Sequence, residues 1–294
     1  MRAGTLVVVG LSAVVAWAGG APVGLAEDPA PPPAPTPKPT PTPAKPSSAA
    51  LPDDEPELVG DAKEKHQKEV KAILDSLKNE KNQEIVRHTM TRLGAAPTRA
   101  GRDALILYVV GNKNQEYVTA AFAELGKIGG RKAIEFLCGK SALRSGDFLV
   151  QQSAADVLAK SKSPLAVGPM LDVLTAPGTK IELVSSLCLA VAQTAPKDDR
   201  VIETIFKLAD AVKDTIRANA LEALGYLKSD RAVEKLKDSL AHEKNTRCRG
   251  AAAHGMKNTG RKELIPTLEA AVAGEKSLTV IEEINGALAE LSKK

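Results

Sequence analysis

The chain has 294 residues, 43% of them apolar but only 3% aromatic, and a formal net charge of +4. Length allows one or two ordinary domains. So few aromatics suit closely packed Ala- and Leu-rich helices and argue against a β-sandwich or barrel. A charge this small for the length excludes a strongly basic nucleic-acid binder and a polybasic membrane anchor.

The first segment, "MRAGTLVVVGLSAVVAWAGGAPVGLAEDPA", carries Arg2 and then no charge until Glu27. Leu6 to Ala18 is an apolar run of the length of a signal-peptide core, broken by Gly19, Gly20 and Pro22. Gly24 and Ala26 are small residues placed for a cut before Glu27, and Ala16 and Ala18 offer a second position. The pattern predicts a cleaved export signal over residues 1–26, and hence a periplasmic, cell-envelope or secreted protein. An uncleaved anchor is the competing reading, but it needs about 20 predominantly apolar residues and this run is interrupted. No membrane span is expected in the mature chain.

Residues 27–61 follow as a proline-rich linker. Between Pro29 and Pro56, 12 residues are proline. Proline fixes φ and lacks a backbone donor, so this stretch joins neither helix nor sheet. It predicts a polyproline-II spacer reaching up to about 80 Å at ~3.1 Å per residue.

From residue 62 to 294 the pattern is helical. "AKEKHQKEVKAILDSLKNEK" sets Val70, Ile73, Leu74 and Leu77 on one side and charge elsewhere, as a capping helix would. Seven similar lines follow: "VRHTMTRLG", "VTAAFAELG", "VQQSAADVLA", "VSSLCLAVA", "IRANALEALG", "CRGAAAHGM" and "IEEINGALA". Anchored on Leu93, Leu125, Leu158, Val191, Leu224, Gly255 and Leu288, they step by 32, 33, 33, 33, 31 and 33 residues. Apolar residues recur seven, four and three positions before the anchor, as in Val118, Ala121, Phe122 and Leu125. That is one face of an α-helix. Gly94, Gly126 and Gly225 come just after three anchors, where a helix end favours glycine. Second helices begin at Arg131, Pro164 and Asp230, and Pro164 suits a first helical turn. Neither helix of a pair buries its face alone, so the prediction is an all-α solenoid of about six to seven repeats.

"IRANALEALGYLKSDRAVEKL" resembles the HEAT-like repeats of the phycobilisome-lyase type, with a V-R-x-x-A-x-x-A-L-G helix followed by a D-x-x-A-V helix. The resemblance runs from about Lys63 to the C-terminus. It implies a right-handed superhelix of helix pairs whose first helices line the concave side. It does not imply lyase activity, because a fold does not carry a function with it.

Little in the sequence points to chemistry. His66, His88, His242 and His254 lack zinc-ligand spacing, and Cys138, Cys188 and Cys248 form no C-x-x-C. The cysteines read as small core residues, so three free thiols are expected. "GKIGGRK" lacks the spacing and strand of a phosphate loop. No catalytic residue, metal or cofactor is assigned. Two features point to binding. On the first helices, five residues before the anchor, stand His88, Ser153, Ser186 and Asn219 among smaller neighbours. Basic residues gather at Lys244, Arg247, Arg249, Lys257, Arg261 and Lys262. The function expected is a monomeric, non-catalytic scaffold whose partner is a protein with an acidic segment. A lyase-type enzyme or accessory subunit is the first alternative, and a nucleic-acid-binding repeat protein the second. The second lacks the basic, aromatic-studded track that single strands require.

Overall fold

The structure is a computed structural model that describes residues 58–80, 82–95 and 98–293. The expected export segment, and the linker up to residue 57, lie outside the described residues. Those residues form helices α1 (Gly60–Asn79), α2 (Gln83–Ala95), α3 (Arg99–Gly111), α4 (Gln115–Ile128), α5 (Gly130–Leu137), α6 (Phe148–Ser161) and α7 (Pro164–Thr175). The array continues through α8 (Ile181–Thr194), α9 (Asp199–Ala209), α10 (Asp214–Leu227), α11 (Asp230–His242), α12 (Thr246–Thr259), α13 (Ile265–Gly274) and α14 (Leu278–Lys293). No strand occurs among the described residues.

The helices stack in two rows. The seven repeated lines are the even-numbered helices, and each packs on the next from α2 through to α14. The odd-numbered helices form a second row behind them, with α1 against α3 and the contacts continuing to α9. The described chain is thus an α-solenoid of HEAT-like helix pairs, with α1 covering one end of the second row. One contiguous core runs between the rows, because each helix hides only one stripe and needs neighbours to complete its burial.

Helix starts follow from their caps. Asn114, Asp147, Asp198, Ser229 and Asn245 each precede a helix and accept from a backbone N–H of its first turn. Such bonds satisfy donors that have no partner inside the helix. Pro164 opens α7 as expected.

The three glycines do not end their helices. Gly94, Gly126 and Gly225 lie inside α2, α4 and α10, and none has positive φ. A side chain there would instead strike the neighbouring repeat: Glu124 opposite Gly94, Val157 opposite Gly126, and the Gly255 carbonyl opposite Gly225. Their role is close approach of helices rather than helix termination. The register also drifts in α12, where Met256, one residue past the expected anchor, is fully buried. At the two ends Leu93 and Leu288 are only partly buried. The reason is that α2 and α14 each have a first-row neighbour on one side only.

Candidate binding surface

The free faces of α10, α12 and α14 enclose a cleft of about 290 Å³. Asn219 and Glu222 stand on one wall and Thr279 and Glu283 on the other, with Gly250 and Ala251 between them and Arg247 and His254 along α12. The shape follows from the sequence of α12. Arg247, Gly250, His254 and Lys257 recur at three- and four-residue spacing and so share one helix face. Gly250 leaves a gap at its centre, where a Cβ would lie 3.4 Å from Glu283 Cγ. His254 Nδ1 lies 3.5 Å from Glu222 Oε1 across the floor.

The row of polar residues is partly occupied with joining helices. Gln152 Nε2 donates to Ser186 Oγ at 2.7 Å, bridging α6 and α8. The Asn219 amide donates to Ser185 Oγ, bridging α8 and α10. Ser153 is half-buried and His88 is exposed at the far end of the array. The structure therefore brings Asn219 to the α10–α12–α14 cleft and leaves His88, Ser153 and Ser186 away from it.

The basic residues divide into three groups. Arg249 is already engaged: Nε and Nη2 donate to the two Glu275 oxygens at 2.6 and 2.9 Å, and Nη1 donates to the Glu243 and Lys244 carbonyls at 3.0 and 3.1 Å. Arg261 pairs with Asp230 at 2.5 Å and donates to the Lys228 carbonyl at 2.7 Å. Arg247 and Lys257 share the α12 face, with Arg247 exposed in the cleft and Lys257 half-buried. Lys244 and Lys262 are exposed beyond opposite ends of α12, a helix about 21 Å long at ~1.5 Å per residue. Those two lysines therefore do not belong to one compact patch.

Arg217, Glu243 and Glu275 were not singled out in the sequence, and all three are held in clamps on this side. Arg217 Nε and Nη2 donate to Glu243 at 2.7 and 3.2 Å, while Nη1 donates to the Ala211 and Val212 carbonyls at 2.8 and 3.3 Å. Arg249 repeats this arrangement one repeat later. Each guanidinium closes off a loop that follows a second-row helix and clamps a glutamate from the next such loop. The fork geometry of arginine makes such a two-bonded clamp possible. The Arg249 bonds hold the Glu275 carboxyl down at about 2, and the Glu243 bonds hold the Arg217 guanidinium above its usual range. A signal existed in the sequence, since both pairs are separated by the same 26 residues.

Among the described residues no group of three His, Cys, Asp or Glu side chains is placed to hold a metal ion. No described helix is long and apolar enough to cross a membrane. Cys138, Cys188 and Cys248 are buried and unpaired, and burial pushes the Cys188 thiol up to about 12 and the Cys138 thiol to about 11.

No curated protein matches this sequence. Among solved structures, the complex of CpcE and CpcF of phycocyanin lyase from Nostoc sp. PCC7120 aligns over 84% of this chain and 100% of its own, at 18% identity and a TM-score of 0.43. Human deoxyhypusine hydroxylase in complex with glycerol aligns over 79% of this chain and 99% of its own, at 16% identity and a TM-score of 0.37. The family model for HEAT repeats matches residues 177–257, a stretch from before α8 into α12 that holds the Arg217–Glu243 clamp and Arg249 but not Glu275. That match covers less than a third of the chain, and it agrees with the two-row stacking of an α-solenoid of HEAT-like helix pairs.

Proposed function

We propose that this protein is a non-catalytic interaction module, exported and carried on its proline-rich segment, that binds a protein partner along the free faces of its first-row helices. The observation that carries this reading is the cleft across α10, α12 and α14, which collects Asn219, Arg247 and Gly250 in one place. An acidic segment of the partner meets Arg247 first, and Lys257 lies on the same helix face about 15 Å farther along α12. Lys244 precedes Arg247 by three residues at the same end of α12, while Lys262 lies past the other end and contributes by longer-range attraction. Arg249 and Arg261 take no direct part, because their guanidinium groups hold the fold together. With only a few polar side chains per repeat, affinity accumulates along the array.

The test is titration of the full chain with a synthetic acidic peptide, read by fluorescence anisotropy of a label on the peptide. Arg247→Glu is expected to weaken binding at least tenfold, and added salt is expected to weaken it further, since exposed charges are screened within ~8–10 Å. Arg92→Glu, on α2 at the far end of the array, is the control and is expected to change little. Equal loss in both variants would overturn the assignment of the cleft. A turnover or a bound chromophore abolished by a single substitution that preserves the helical signal would replace the scaffold reading with the lyase-type one. Tight binding of single-stranded DNA in place of the peptide would replace it with a nucleic-acid function.

A further inference from the structure

We draw no further inference here: the strongest candidate, the groove between α1 and α3 lined by Val70, Leu74, Ile106 and the half-exposed Leu107, is an unpartnered apolar face, and nothing in the structure shows what covers it.

Discussion

The α2–α4 joint and the α10–α12 joint are built from the same repeated line, yet they are held differently. At α10–α12 backbone meets backbone. A side chain on Gly225 would strike the Gly255 carbonyl, and one on Gly255 would lie 2.6 Å from the Leu221 carbonyl. Two arginine clamps, Arg217–Glu243 and Arg249–Glu275, flank this crossing. At α2–α4 the glycine meets a side chain instead. Glu124 lies over Gly94 and accepts from Lys127 at 2.8 Å through Oε1, while its other carboxylate oxygen is buried with no partner among the described residues. The position taken by Arg217 in α10 is Val118 in α4 and Val86 in α2. The comparison teaches that a shared apolar period builds the stack, while the polar residues decide how firmly each joint is fixed.

The sharpest way to break this comparison is to crowd the two glycine crossings. Gly255→Ala is expected to cost about 2–3 kcal/mol, because neither facing backbone can yield without shifting a helix. Gly94→Ala is expected to cost under about 1 kcal/mol, since Glu124 can turn aside and alanine favours the helix. Chemical denaturation of each variant checks the ranking. Equal losses would show that the two joints are packed alike.

The clamps give the next largest effect. Arg249→Ala leaves Glu275, whose side chain is only 9% exposed, without its partner. The expected loss is about 2–3 kcal/mol, at or below the ~3–5 kcal/mol of a fully buried pair, since the Arg249 side chain is 18% exposed. Arg87 and Glu116 also form an ion pair, at the α2–α4 joint, but their side chains are 54% and 51% exposed. Arg87→Ala is expected to cost less than about 1 kcal/mol, as for exposed pairs generally. A loss at Arg87 as large as that at Arg249 would erase the distinction drawn between the two ends.

Acid sharpens the same contrast. Glu275 holds its proton only near pH 2 in the folded chain, against an ordinary value of 4.5. Unfolding raises its affinity for protons, so the clamp's contribution is complete above about pH 4.5 and is lost as pH falls toward 2. Glu275→Gln is expected to flatten the fall in stability across that window, as followed by helical signal in urea at several pH values. An unchanged acid profile would mean that the Arg249–Glu275 pair does not carry this dependence.

The smallest effect concerns local opening. Cys138 ends α5, near the less cross-linked end, whereas Cys188 and Cys248 are fully buried in α8 and α12. Thiol labelling of the native chain is expected to reach Cys138 first, because sites reachable through low-energy opening react earlier. Earlier labelling of Cys248 would reverse the proposed order of firmness.

Much of this architecture was legible beforehand. The 31- to 33-residue steps located all seven first-row helices, and Val118, Ala121, Phe122 and Leu125 are all buried as their spacing required. The glycines were visible but misread, since a glycine near a helix end looks the same whether it serves φ or close approach. The basic cluster was visible as a run of charge, yet the run mixed clamping arginines with exposed ones. Cations close in sequence differ in role according to which way the helix turns them and which carboxylate the next repeat supplies.

The sequence by itself determined that this chain folds as a stack of helix pairs, because apolar periodicity is a local property and repeats every turn and every repeat. Only the tertiary structure decided which polar residues are spent on the stack and which remain available. Arg249 and Arg247 are two residues apart, but one clamps Glu275 while the other lines the open cleft. That choice depends on partners 26 to 36 residues away, brought within reach by packing, and no local pattern encodes the distance between side chains on neighbouring helices.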